Sequence, residues 1–272
     1  MTVLVCPNCG KPLDRAGNTY KCALGHSFDI ASSGYCNLLC GSKPGEFTGD
    51  SREMVAARRK FLDTGAYEKL RDAVCERVRE LAPHTAVDAG CGEGYYTREA
   101  AKFVSDKIIG IDIAKSATQY AAKRDSKTVY VTASAYHMPV AEKSADLVLS
   151  LFAPTPAGEF SRVLRDDGHV LTVVPGNEHL WELKEAIYDE PYLNREDKHS
   201  LEGFSLCDRR KLTYTAEISG NDNIIALFSM TPYIHRTSKE GMDRLERLEK
   251  INLTLSFLLL TYIKEKIEHL EE

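Results

Sequence analysis

Residues 87–97 read VDAGCGEGYYT, and this stretch restricts the chain more than any other. An apolar run ends in three alternate glycines, and a helix-like segment, TREAAKFV, follows. Gly90, Gly92 and Gly94 permit dihedrals closed to other residues and let backbone amides approach a ligand. The spacing is G-x-G-x-G rather than G-x-G-x-x-G, and Asp88 lies two positions ahead of the first glycine. A carboxylate there is a poor companion for a pyrophosphate seated on a helix amino terminus. It suits a cationic ligand carrying an ammonium and a sulfonium. Asp112 closes the next apolar run, 24 residues further on, where a carboxylate can accept both hydroxyls of a ribose.

The surroundings fit such a loop. TAVDAG (85–90), KIIGIDI (107–113), TVYVTA (128–133), ADLVLSLF (145–152) and GHVLTVV (168–174) are strand candidates, and helix-like segments separate several of them. That βαβα rhythm predicts a parallel sheet with helices on both faces. Further on, KLTYTAEI (211–218) and DNIIALFSM (222–230) look like strands, and RTSKEGMDRLERLEK looks like a helix. INLTLSFLLLTYI (251–263) alternates with period two and predicts a last strand returning to the sheet. Ahead of the rhythm, Met54, Phe61, Leu70, Val74, Val78 and Leu81 recur at helical spacing, and Gly65 divides them into two helices. GSKPGEFTGD (41–50) has the composition of a linker. Three zones result: residues 1–40, 41–82 and 83–272.

Redox setting decides how the cysteines are read. No leader-like run opens the chain, and the apolar stretch 251–263 is too short and too polar to span a bilayer. A cytoplasmic protein without a membrane partner is therefore expected, and its eight cysteines should be thiols or metal ligands. Cys6-x2-Cys9 and, twelve residues later, Cys22-x3-His26 have the spacing of a small zinc knuckle. Pro7, Gly10 and Gly25 supply the turns. His26 closes a symmetric pair of short loops, while Cys36 and Cys40 stand within reach as alternative fourth ligands. Cys75, Cys91 and Cys207 are read as ordinary buried thiols. The net charge of −5 gives no overall sign of nucleic-acid binding, yet residues 1–60 carry +3.

Taken together, these motifs bear a family resemblance. Residues 87–175 resemble a class I S-adenosylmethionine-dependent methyltransferase, with DAGCGEG as first motif, GIDI as second and ASAYHMPV (133–140) as third. Nearly the whole chain resembles the RlmA-type 23S rRNA (guanine-N1)-methyltransferases, a family that includes macrolide-resistance enzymes. CPNC, YKCALGHSFDIASSGYCNLL, GDSREMVAARRKFLDTGAYEKLRDAV, PGNEHLWELK, LEGF and MTPY carry that likeness.

The resemblance implies an α/β fold: a doubly wound, mostly parallel, seven-stranded Rossmann-like sheet behind a small zinc-binding domain. It implies zinc on Cys6, Cys9, Cys22 and His26. It implies S-adenosylmethionine against Tyr67, Asp88, Gly90, Gly92, Glu93, Gly94, Asp112, Ser134, Ala135 and His179. A homodimer gripping a hairpin of 23S rRNA is the implied assembly. The target nitrogen, guanine N1, sits on the Watson–Crick edge and must be splayed out and lose a proton before it reacts. Phe152 and Pro154 of LFAPTP are candidates to wall in the base, with Trp181 and Phe204 as further stacking candidates, and no residue is identified as the base. Lys11, Arg15, Lys21, Arg58, Arg59 and Lys60 are the expected RNA contacts. A small-molecule methyltransferase and a non-enzymatic RNA-binding protein with a vestigial cofactor fold are the competing functions.

Overall fold

The computed structural model describes residues 3–39, 49–195 and 199–265. Cys40 lies outside them. Three short strands, β1 (Asp14–Ala16), β2 (Thr19–Lys21) and β3 (Ser27–Asp29), form an antiparallel sheet at the front. A two-residue strand, β4 (Cys36–Asn37), leaves it. Helices α1 (Arg52–Leu62) and α2 (Glu68–Leu81) follow. Ser51 caps α1 by accepting the Met54 N–H at 3.2 Å. Gly65, at φ +82°, takes the left-handed turn between the helices. The apolar side bearing Phe61, Leu70, Val74 and Val78 is buried against the large sheet.

That sheet is built from β5 (Thr85–Ala89), β6 (Lys107–Asp112), β7 (Val129–Thr132), β8 (Ala145–Leu151), β9 (Leu164–Pro175), β10 (Phe204–Ser219) and β11 (Lys250–Lys264). Its order is β10-β11-β9-β8-β5-β6-β7-β4. Strands β5 to β9 run parallel, while β10 and β11 are antiparallel to their neighbours. Connections from β5 run outward through β6 to β7, and the chain then returns to the other side of β5 for β8. This reversal opens a crevice at the carboxyl ends of the central strands, the position where such sheets hold ligands. Helices α3 (Tyr95–Ala100), α4 (Lys115–Arg124) and α5 (Ala157–Val163) make the crossovers. After β9 come α6 (Trp181–Ile187), then α7 (Asn221–Ser229) and α8 (Lys239–Glu246) between the two long antiparallel strands.

The structure departs from the sequence expectation in three places. The sheet has eight strands rather than seven, because β4 pairs in parallel with β7 through Cys36–Val131 and Asn37–Thr132. The front segment is further joined by Val5 N–H to the Pro139 carbonyl (2.9 Å) and Ala141 N–H to that of Val3 (2.8 Å). DNIIALFSM, expected as a strand, is helix α7, and its Ile224, Leu227 and Phe228 turn one face into the core. A short apolar run does not distinguish helix from strand by period alone. Cys207 is exposed, not buried. It is the extra residue at an irregularity of β10 between Leu206 and Asp208.

The last strand is where period two predicts it. Leu253, Leu255, Phe257 and Leu259 face one core, and Leu258, Leu260 and Tyr262 face the other. Burial on both sides explains why its alternation fades toward the end.

Candidate active site and metal centre

Asp88 is the one acid in β5, a strand with every residue buried, and it is 1% exposed. Its Oδ2 accepts the Thr97 hydroxyl at 2.6 Å, and its Oδ1 is buried without a hydrogen-bond partner. Burial, reinforced by the Asp112 charge, pushes the carboxyl up to about 7. A buried acceptor left unpaired costs stability unless something donates to it. The donor that fits is a cation.

The glycine turn beyond Asp88 is held from β6. Gly90 and Cys91 donate to the Ile111 carbonyl at 2.8 and 3.0 Å. Gly92 donates to Asp112 Oδ2 at 2.9 Å, while Ala114 donates to its Oδ1 at 2.7 Å. Asp112 is thereby fixed at the strand end with its carboxylate plane set. A Cβ on Gly90 would meet the Ala153 methyl at 2.5 Å, and one on Gly94 the Tyr130 hydroxyl at 2.7 Å. Glu93 Oε2 accepts from Arg124 at 2.6 Å, and Arg124 also reaches Asp63 at 2.7 Å. This chain of charges ties the glycine turn to the segment between α1 and α2.

A cleft of about 690 Å³ lies over these groups. Nine of the ten residues that the resemblance marks for the cofactor line it: Tyr67, Asp88, Gly90, Gly92, Glu93, Asp112, Ser134, Ala135 and His179. Gly94 packs beneath the turn instead. Tyr67 and His179, 112 residues apart, meet with Tyr67 Oη 3.3 Å from His179 Nε2. The Ser256 N–H donates to His179 Nδ1 at 3.3 Å. That bond leaves Nε2 carrying the ring proton, so the imidazole donates to the Tyr67 oxygen. Burial holds the imidazole neutral, with its pKa pulled down to about 3, and pushes the Tyr67 phenol well above its ordinary range.

Two backbone outliers border the same cleft. Phe152, at the end of β8, has φ +57°, and Leu180, directly after His179, has φ +58°. Neither is a glycine, so each carries strain that the surroundings must offset. The Phe152 ring lies 6.4 Å from that of Tyr67 and 5.9 Å from that of Phe257. Leu180 is pinned by its N–H to the Thr254 carbonyl at 2.8 Å. Pro154 also lines the cleft, whereas Phe204 is buried in the core of β10 and Trp181 begins α6 partly buried.

Some wall residues carried no signal in the sequence. Tyr192 and Asn194 come from the stretch after α6, with no fixed spacing to the glycine turn. Tyr96 lies inside the glycine motif, two residues past Gly94 in α3, Asp50 in GDSREMV, and Thr231 and Tyr233 in MTPY, but these stretches name no role for them. Arg58, expected to face RNA, instead pairs with Asp50 on the cleft wall. Arg59 lies over the Tyr120 ring at 4.5 Å, and Lys60 pairs with Asp222 at 2.9 Å. A run of charges on a helix does not say which way it faces.

The second centre lies in the front sheet. Ligand atoms of Cys6, Cys9, Cys22 and His26 all fall within 4.8 Å of one another. Cys6 Sγ and Cys22 Sγ lie 3.5 and 3.4 Å from His26 Nδ1, and Cys9 Sγ lies 3.7 Å from Cys22 Sγ. A tetrahedral site with metal–sulfur bonds of about 2.3 Å has edges of roughly 3.7 Å, so this donor set fits zinc. The two turns match: the Gly10 N–H reaches the Cys6 carbonyl at 2.8 Å, and the Gly25 N–H reaches that of Cys22 at 3.0 Å. Cys36 is elsewhere. It is buried in β4, 3.9 Å from the Phe28 carbonyl, and burial pushes its thiol up to about 12.

With this geometry in place, comparison with known proteins is decisive. A methyltransferase-domain model matches residues 87–172, and an RlmA N-terminal model matches residues 4–43. The 23S rRNA (guanine(748)-N(1))-methyltransferase of Streptomyces fradiae is 34% identical over 68% of this chain and 67% of its own length. The chain belongs to the 23S rRNA (guanine-N1)-methyltransferase family. A Bacillus subtilis protein provisionally named for the same activity, YxjB, is 29% identical over 95% of this chain and 96% of its own. The rat mitochondrial arginine-hydroxylase NDUFAF5 is also 29% identical, but over 43% of this chain and 37% of its own. A likeness confined to part of the chain thus extends to a protein named for another activity, whereas the match through the zinc ribbon separates this family.

Proposed function

We propose that the chain transfers a methyl group from S-adenosylmethionine to N1 of a guanine in a hairpin of 23S rRNA. One combination supports this most: an intact cofactor cleft, with Asp88 Oδ1 awaiting a cation, in the same sheet as an RlmA-type ribbon. The bound cofactor supplies an electrophilic methyl carbon on a sulfonium.

The chain's own groups do the positioning, which dominates an in-line transfer. Asp88 would hold the ammonium end, and Asp112, whose two oxygens accept from the Gly92 and Ala114 amides, would take the ribose hydroxyls. Ser134 and Ala135, on the cleft wall, would flank the adenine. Since the imidazole donates to the Tyr67 oxygen, the phenolic proton is left to point into the cleft. Neither member of that pair takes the guanine proton at neutral pH. Each carboxylate of the cleft wall has one partner, Asp50 in Arg58, Glu93 in Arg124, Asp112 in backbone amides and Asp88 in Thr97, while Asp88 Oδ1 and Glu93 Oε1 are buried without a hydrogen bond among the described residues. Zinc on Cys6, Cys9, Cys22 and His26 shapes the ribbon, whose exposed Lys11, Arg15 and Lys21 meet the RNA backbone.

No helix among the described residues is long and apolar enough to cross a membrane. The working form is a cytoplasmic homodimer gripping the hairpin, as the family resemblance implies. Nucleoside mass spectrometry of 23S rRNA from a strain lacking the protein tests the reading, with transfer to that RNA by purified protein in parallel. Loss of N1-methylguanine and its restoration are expected. Unchanged N1-methylguanine, together with no transfer in vitro, would overturn it.

A further inference from the structure

Three rings on the cleft wall are open to solvent: Tyr136, Phe152 and Tyr192 expose 54%, 47% and 45%. Tyr136 directly follows the Ser134–Ala135 wall already given to the adenine. Phe152 rests on Tyr67 and Phe257. Tyr192 is backed in a different way. Its ring stacks on Tyr188 at 5.7 Å and 27°, and the Lys184 ammonium lies 4.8 Å from its centroid. The same ammonium donates to the Tyr192 carbonyl at 2.9 Å and to Asn194 Oδ1 at 2.6 Å. Asn194 in turn donates from its side chain to the Gly176 carbonyl at 2.9 Å, and from its N–H to that of Asn177 at 2.8 Å.

Lys184 is fully buried, and both of its acceptors are neutral. Among the described residues no carboxylate pairs with it, and a buried ammonium held by neutral acceptors is costly unless it does a job there. Its ammonium lies 5.5 Å from the Tyr233 ring, but its hydrogen bonds all go to one segment. Ring, carbonyl and neighbouring amide of Tyr192 are all fastened at the rim of the cleft by a single charge.

We propose that Tyr192 is the stacking face for the splayed target guanine and that Lys184 is the positioning residue holding its ring there. This rests on the RNA methyltransferase reading and deepens it. A guanine presenting its Watson–Crick edge to the methyl donor leaves its flat faces to be covered. An aromatic face covers any base without choosing it, and a cation held against the ring stiffens the platform.

The test uses the full chain and an RNA hairpin with 2-aminopurine at the guanine that mass spectrometry shows to be methylated. Wild type and Tyr192→Phe should quench the probe on binding. Tyr192→Leu should leave it bright and lower kcat/KM for the unsubstituted RNA by roughly tenfold or more, with cofactor affinity by calorimetry unchanged. Lys184→Met should also leave the probe bright and raise KM for RNA, although Tyr192 is present. Because Tyr192 is exposed, its variants test the platform even where Lys184→Met folds poorly. Full quenching and full activity in Tyr192→Leu would overturn the proposal. A Lys184→Met protein that loses transfer but still quenches would overturn the role given to the lysine. Wild-type transfer with an unquenched probe sinks this proposal alone, whereas no transfer at all sinks the underlying reading too.

Discussion

The zinc ribbon and the cofactor cleft are built on opposite plans. In the ribbon, four ligand atoms come from two short turns inside residues 6–26, and each turn is closed by its own glycine. The cleft gathers its wall from Gly49 to Tyr233, almost the breadth of the molecule. The ribbon brings four metal-ligand atoms together, and the cleft buries carboxylate oxygens, Asp88 Oδ1 among them, that have no hydrogen bond among the described residues. A local site needs its metal to become a structure. A dispersed site is made by the core and needs its ligand only to act.

The widest expected separation between the two comes from the metal. The wild type should hold about one zinc per chain by atomic emission, and Cys6→Ser almost none. Transfer to RNA should fall by roughly two orders of magnitude, while cofactor affinity by calorimetry changes less than about threefold. Equal loss of both would break the comparison.

Asp88→Asn probes the other plan. Loss of a buried charged acceptor should weaken cofactor binding by roughly 10–100-fold in calorimetry, with zinc content unchanged. The same change should stabilise the ligand-free protein. A carboxyl raised to about 7 in the fold, against 3.8 as the ordinary value, contributes stability below about pH 4 that is lost as pH rises through 7. Melting temperature of the wild type should therefore fall between about pH 4 and 7 relative to Asp88→Asn, by about 2–4 °C for each kcal/mol.

A smaller effect is expected at His179. Glutamine can accept from Ser256 and donate to Tyr67, so His179→Gln should keep kcat within about threefold, while His179→Ala should lower it by roughly tenfold. With the imidazole pKa near 3, the wild-type pH–rate curve should show no histidine step between pH 5.5 and 8. Smallest of all, Cys207→Ser should leave zinc, activity and stability unchanged within about 0.5 kcal/mol. In the wild type its exposed thiol should be alkylated before the buried Cys75 and Cys91, as peptide mass spectrometry would show.

Legibility in the sequence followed the same division. Cys6, Cys9, Cys22 and His26 could be read as a set because their spacing is their geometry. Asp88, the glycines and Asp112 were readable because strand, turn and strand place them within one motif. Tyr192, Asn194 and Thr231 were not, since their positions are fixed by Lys184 and by packing, which leave no period or spacing behind. The strand β4 was missed because two residues are too few to alternate. Helix α7 was misread because nine largely apolar residues satisfy either period. The place of Arg58 beside Asp50 on the cleft wall was not readable, because charge is visible in a sequence and facing is not.

One pairing binds the two plans together. Leu38 donates to the Thr132 carbonyl at 2.9 Å, and the next residue of that strand, Ala133, donates to the Asp112 carbonyl at 3.1 Å. Two backbone bonds thus separate the ribbon's exit from the ribose carboxylate. If the ribbon grips RNA as proposed, that RNA would be measured against the proposed cofactor site by a ruler made of main chain. Which nucleotide arrives at the methyl group is then a question of reach, and a residue inserted between Ile30 and Cys36 would move the mark on that ruler without touching either site.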